Sequence, residues 1–499
     1  MKRCWAAMRR LGALLLAALL VLAPAHSAPR RVTPHEELKA QLLAHITELS
    51  SDAYEGREPG TEGEAKTLRY LGQQWFAIGL QSGTNDPGHA WFAPVTVIAR
   101  EPEGSRAAFT RKGRRLFTPP ESVLVLTSGR RSLVENAPVL FVGRGGAPLA
   151  RADLAGRVAL LLDGGIDSSE RQNALLAAGA SAVLTVLDGE RSLENVATRR
   201  GRLAYALAGE AFGGDLEAFI TAEGLNRALA GSGQTLAGLQ AAANAPDFVA
   251  NPIDLAVTLE ATTRETRINT HNVIGKLPGK RPELGAVLVV AHWDHFGRCA
   301  APPAEDQICN GAIDNASGVA VLTEAARRLA KGPPIDRDVY FLATTAEELG
   351  LLGAHAFAEN PPLPLNSIVA AFNIDSVALL PAGRPFAIVG KGQTQLDPQI
   401  AAAAKAAKKK IVEGDAANAY VQRQDGWALL KHDVPAVMVS SSWSDIAVIE
   451  RFFEGDYHRA SDQLAGKGIE LGGAADDALF LVALVRRFGD PRKVPVAVP

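Results

Sequence analysis

Histidine and cysteine are absent from residues 105–250 of this 499-residue chain, which excludes that stretch as a source of imidazole or thiolate metal ligands. Cysteine is scarce everywhere, with Cys4, Cys299 and Cys309 alone, so no disulfide scaffold replaces a hydrophobic core. After the run LGALLLAALLVLA near the start, no apolar run of that length lacks charges, which predicts no membrane span in the mature chain. Lys408-Lys409-Lys410 is the only run of three consecutive basic residues, and the formal net charge is −2. That balance excludes a nucleic-acid partner as the expectation. HExxH, GxSxG and a phosphate loop ending in GK[ST] are also missing, so a serine hydrolase or nucleotide enzyme would need another kind of site.

What is present begins with export. Lys2, Arg3, Arg9 and Arg10 flank the apolar run, and Ala25-His26-Ser27 follows it, the pattern of a cleavable secretion signal over residues 1–27. Its removal takes four positive charges and leaves the mature chain mildly acidic. The protein is then expected in the periplasm or outside the cell, where Cys299 and Cys309 can pair. A bridge there would pin the loop between Asp294 and Asp314; two free thiols are the alternative.

The length suggests two domains. Thr33-Pro34-His35-Glu36 has the form of a capped helix start, with Leu38, Leu42, Ile46 and Leu49 along one face. Thr61-Glu62-Gly63-Glu64 repeats the signal before Leu68, Leu71, Trp75 and Ile78, and SDAYEGREPG between them reads as a polar loop. Short strands are predicted over 93–100, 107–111, 138–143, 158–162 and 181–187, with a helix over 170–178. The lysine run is assigned to the solvated face of a helix over 398–410. Texture changes near residue 104 and regular αβ alternation resumes near 251. Residues 28–104 and 251–499 are therefore expected to form one discontinuous α/β domain, a doubly wound mixed sheet with helices on both faces, around a β-rich insert at 105–250.

Chemistry collects where apolar strands end. AVLVVAHWDHFG delivers His292 and Asp294; NGAIDNASGV delivers Asp314 ahead of a helix; VYFLATTAEELG delivers Glu347 and Glu348; FNIDSV delivers Asp375; DYHRASD delivers His458. Each has a plainer reading alone. Asp314-Asn315-Ala316-Ser317 could simply cap a helix, and acidic residues such as Glu347 and Glu348 suit a helix's first turn through the macrodipole. Imidazoles and carboxylates together suit zinc, and paired metals about 3.5–4 Å apart can share and activate a water.

These five stations, in this order, resemble the co-catalytic zinc aminopeptidases of peptidase family M28. ADLAGRVALLLDGG and QNALLAAGASAVLTVLDG resemble the protease-associated (PA) domain, with a βαβ piece of the main sheet as the alternative. The resemblance implies two zinc ions: Asp314 bridging, His292 and Asp375 completing one site, Glu348 and His458 the other. It implies Glu347 as general base, Asp294 as the partner of His292, and a cis peptide between Asp314 and Asn315. The stretch RQDGWALLKHDVPAVMVSS resembles the family's Arg-Ser-Asp-His segment but has Gln424 and Gly426 where serine and histidine are usual. Asp425, Gly426 and Tyr457 are thus candidate substrate-pocket residues, Tyr457 either polarising the substrate carbonyl or packing the wall. His295 is expected beside the ligands rather than among them, and His355 at the surface.

The implied activity is removal of the first residue of a peptide substrate. A glutaminyl cyclase or carboxypeptidase on the same fold is the alternative reaction, distinguishable by metal stoichiometry and by the effect of blocking the substrate's amino terminus. A non-catalytic binding protein of the same shape is the third reading, although none of the five ligands is missing.

Overall fold

The computed structural model describes residues 33–495 apart from 89, 146–148, 165–167, 190, 201–202, 210–214 and 465–468; the expected secretion signal lies outside the described residues. Helix Pro34–Leu49 starts as its sequence requires, with proline in the first turn and the Thr33 hydroxyl accepting the Glu36 amide. Its four apolar positions are all buried. Helix Glu62–Ile78 follows, although the Thr61 hydroxyl donates to the Glu58 carbonyl instead of capping it.

Strand Ala286–His292 lies inside the sheet, parallel to Asp338–Thr344 on one side and to Ile368–Asn373 on the other. All of its residues are buried, as a continuous apolar run in a central parallel strand demands. Val287, Val289 and Ala291 face a core shared with helices Pro34–Leu49, Gly318–Lys331 and Leu471–Phe488. Ala286, Leu288 and Val290 face the opposite core, with Phe357 and Leu429 of helices Leu352–Glu359 and Asp425–Leu430. Helices therefore cover both faces. Ala436–Ser440 continues the parallel set, whereas Ala387–Val389 and Asn251–Leu277 run antiparallel to their neighbours, making the sheet mixed.

Two expectations are corrected. Residues 93–100 and 107–111 belong to one strand, Phe92–Arg111, which pairs antiparallel with Asn251–Leu277 through a single register shift at Thr262/Thr263. Glu101, Pro102 and Gly104 all have partners across that ladder, so the backbone stays extended where local composition signals a turn. Helix Asp397–Ala406 ends before the lysine run; Lys408 has a φ of 54° and Lys409 reaches Asp476 at 2.8 Å, so these lysines are not its solvated face.

Beyond the long pair, Arg131–Phe141, Val158–Leu162, Ala182–Val186 and Leu216–Ile220 form parallel neighbours around a separate core containing Phe109, Val139, Leu160 and Leu184. No helix among the described residues is long and apolar enough to cross a membrane.

Candidate metal centre

Strand register aligns the chemistry. His292 stands opposite Thr344, and Val290 opposite Asn373, so the segments after three strands leave the sheet at the same edge, the usual place for a site in an open α/β sheet. Asp314 enters from the turn before helix Gly318–Lys331, and its peptide bond to Asn315 is cis. The Asn315 side chain donates to the Ile374 carbonyl and accepts from the Gly318 and Ser376 amides, tying the Asp314 turn to the Asp375 loop. Gly311, with a φ of 54°, makes that turn possible: a Cβ there would lie 2.1 Å from the Asp314 carbonyl oxygen.

The two oxygens of Asp314 face different imidazoles. Oδ1 is 3.2 Å from His292 Nε2, which is also 3.4 Å from Asp375 Oδ1. Oδ2 is 3.4 Å from His458 Nε2, which is 2.9 Å from Glu348 Oε2. Asp314 Oδ2 and His458 Nε2 are buried yet aligned for no hydrogen bond among the described residues, so these donor atoms do not point at one another. A tetrahedral zinc with bonds of about 2.0–2.1 Å sets its donors about 3.3 Å apart. The spacing of these donor atoms therefore fits zinc.

Electrostatics points the same way. Asp294, Asp314, Glu347, Glu348, Asp375 and Asp425 lie within one another's fields, and so many carboxylates, four buried and two half-buried, call for cations. Burial pushes Glu347 well above the usual carboxylate range, with His292 opposing and Glu348 and Asp375 reinforcing. Burial also raises Asp314, but the adjacent His292 and His458 imidazoles outweigh it and hold the carboxyl well below its ordinary value. His458 shows the complementary effect, at about 9: burial lowers it and the Asp314 and Glu348 carboxylates more than compensate.

The remaining candidates divide. Glu347 Oε2 stands 4.0 Å from His292 Nε2; it groups with His292 and Asp375 as possible metal donors, as Asp314 and Glu348 group with His292. Glu347 and Glu348 precede their helix, which begins only at Leu352, so the first-turn reading is set aside. Asp294 directs its carboxylate at the Glu347 and Glu348 amides, at 3.1 and 3.4 Å, whereas His292 Nδ1 lies 3.2 Å from the Asp294 main-chain carbonyl and 3.8 Å from its carboxylate. It therefore holds the Glu347–Glu348 turn more directly than it holds His292. His295 contacts Glu348 Oε1 at 2.5 Å through Nδ1, and His355 is half-buried, its ring 5.9 Å from that of His432. Tyr457 stacks on His458 with ring centroids 3.6 Å apart. Asp425 is buried and accepts from the Thr344 hydroxyl at 2.5 Å. A Cβ at Gly426 would lie 2.9 Å from Gln424 Oε1, so the Gln424 amide fills the space that a side chain at 426 would enter. Cys299 and Cys309 form a disulfide.

Sequence reasoning passed over Arg57 and Asp462. Arg57 sits in the loop read as a polar connection, but is buried and donates to four main-chain carbonyls; Asp462 accepts the Ile313 and Asp314 amides.

Residues 272–479 match the profile described as peptidase family M28. This stretch is an M28 peptidase domain. All five expected ligands fall inside it. Aminopeptidase YwaD of Bacillus subtilis (strain 168) is 29% identical over 243 residues, 48% of this chain and 44% of that protein. The alkaline phosphatase isozyme conversion protein of Escherichia coli (strain K12) is 34% identical over 102 residues, 19% of this chain and 29% of that one. The chain thus spans less than half the length of these curated relatives. A solved aminopeptidase from Aneurinibacillus sp. strain AM-1 superposes with a TM-score of 0.51 across 90% of this chain and 93% of its own, at 20% identity. That likeness is one of fold, and it covers more than the M28 domain.

Proposed function

We propose that the protein is an exported aminopeptidase that uses two zinc ions to hydrolyse the first peptide bond of a substrate. The observation that carries this reading is the Asp314 carboxylate, one oxygen toward His292 and Asp375, the other toward His458 and Glu348. In the proposed assignment His292, Asp314 and Asp375 hold one ion, and Asp314, Glu348 and His458 the other. When bound, such a pair lowers the pKa of a water and polarises a carbonyl.

The chain's own groups supply the rest. Glu347, half-buried and outside both proposed ligand sets, takes the proton of the attacking water and passes it to the leaving amine. Asp294, through the Glu347 and Glu348 amides, sets the aim of that turn. The Tyr457 phenol, held against the His458 ring, donates to the substrate carbonyl oxygen. The density of carboxylates favours a substrate with a free, charged amino terminus, which distinguishes this reaction from carboxyl-end cleavage. Gln424 and Gly426 shape the neighbouring wall.

We further assign residues 28–104 and 251–499 to the catalytic domain and 105–250 to an insert of PA type. The Cys299–Cys309 disulfide supports an oxidising compartment, in keeping with a secretion signal at 1–27. The deciding experiment is metal content by mass spectrometry on the purified mature chain, paired with hydrolysis of free and amino-blocked aminoacyl reporter amides. Two zinc ions per chain and cleavage of free substrates alone are expected. One ion per chain, or cleavage indifferent to blocking, would overturn the reading in favour of a cyclase or a carboxypeptidase.

A further inference from the structure

The turn that presents Asp314 is gripped from two sides by charged side chains. On one side, the buried Arg57 guanidinium donates from Nη1 to the Asn310 carbonyl at 2.7 Å and from Nη2 to the Gly311 carbonyl at 3.0 Å. On the other, Asp462 accepts the Ile313 amide at 2.9 Å and the Asp314 amide at 3.0 Å, one on each carboxylate oxygen. The Asp462 carbonyl also accepts the Ala312 amide at 3.1 Å. Carbonyls and amides of one short segment are thus satisfied by a cation and an anion from distant parts of the chain.

Each grip reaches a second ligand. Arg57 Nε donates to the Trp293 carbonyl at 2.8 Å, between His292 and Asp294, and Nη1 also donates to Leu49 at 2.8 Å. The Arg57 carbonyl accepts the His295 amide at 3.3 Å. Asp462 lies four residues beyond His458, in the same loop. Burying a guanidinium among carbonyls is costly unless its donors are used; here the planar fork reaches four acceptors, a geometry that a lysine ammonium does not reproduce.

We propose that Arg57 and Asp462 are positioning residues that fix the Asp314 carboxylate between His292 and His458, so that the two metal sites form together. The inference rests on the two-metal reading above. It assigns neither residue a contact with substrate.

The test compares Arg57→Lys and Asp462→Asn with wild type in the full mature chain, by zinc titration against a competing chelator. Near-ultraviolet circular dichroism and melting of the metal-free proteins report folding. Loss of a partner behind the ligands is expected to weaken zinc binding roughly 10–100-fold, with kcat falling more than KM changes. Glu324→Gln, which disturbs a buried network away from the centre, should melt earlier yet keep wild-type zinc affinity. Folded variants that bind zinc as wild type does would overturn the proposal, as would a Glu324→Gln chain that loses equal affinity. Should Arg57→Lys not fold, Asp462→Asn decides alone. A wild-type chain that takes up a single zinc would overturn the two-metal reading, and this inference with it.

Discussion

Glu324 offers a quantitative test of how the helix behind Asp314 is anchored. Its side chain, 1% exposed, meets His45 Nε2 at 3.1 Å and Arg327 Nε at 2.8 Å, and pairs with Arg328. His45 in turn contacts the Tyr70 hydroxyl at 2.6 Å, so one network joins helices Pro34–Leu49, Glu62–Ile78 and Gly318–Lys331. Burial raises the Glu324 carboxyl, but His45, Arg327 and Arg328 outweigh it and bring it down to about 2 from the ordinary 4.5. That gap is worth about 3 kcal/mol when fully expressed. Because the folded-state value is depressed, the contribution is complete above the unfolded value of 4.5 and is lost as pH falls through about 2. Urea unfolding of wild type and Glu324→Gln should differ by about 3 kcal/mol at pH 7, narrowing to less than half of that near pH 3. Comparing the two chains at each pH cancels the titration of the other carboxylates. A stability gap that stays constant between pH 7 and pH 3 would refute the assignment of the network to an ionised Glu324.

Glu347→Gln should retain both metals while turnover falls about 10²–10⁴-fold, measured as metal content and kcat on a free aminoacyl amide. Replacing Cys299 and Cys309 by serine opens a loop with a sequence separation of 10 and should cost about 2–3 kcal/mol, read from denaturant unfolding. Gly426→Ala should change stability by no more than about 1 kcal/mol, because its Cβ meets only the movable end of Gln424 while alanine favours helix Asp425–Leu430, as a melting series would show.

The proposed ligands are legible because each is announced by its setting: an apolar strand ends, and a carboxylate or imidazole follows within a few residues. His292, Asp314, Glu348, Asp375 and His458 do converge, and the cap at Thr33 forms as its spacing requires. What escaped was decided by contacts remote in sequence. Phe92–Arg111 stays one strand because Asn251–Leu277 pairs with it through Pro102 and Gly104, a partner some 160 residues away that local propensity does not reveal. Arg57 lies among glycines and proline in a stretch with every mark of a solvated loop; the carbonyls that draw it inward belong to Trp293, Asn310 and Gly311. Asp294 follows the expected pattern two residues after His292, yet its oxygens turn to the Glu347 and Glu348 amides, because those donors face it across the sheet edge. A carboxylate position is readable in sequence, whereas its hydrogen-bond partner is a property of the assembled edge.

The same reasoning bears on how the proposed insert acts. Its strand Ala204–Leu207 pairs with residues 97–100 of the long strand. Leu207 and Tyr205 pack with Val95, Val97, Ala346, Leu349 and Leu352, that is, with residues immediately flanking Glu347 and Glu348. The insert therefore meets the proposed base and ligand through a shared apolar cluster and a shared pair of strands, not through flexible linkers. Deleting it would uncover that cluster and sever a continuous ladder, so a change of activity in such a deletion would report the loosened Glu347–Glu348 turn as much as any change in substrate access. Access is better separated by substitutions at exposed insert positions that leave Leu207 and the ladder intact, because only these change the approach to the centre without moving the residues that build it.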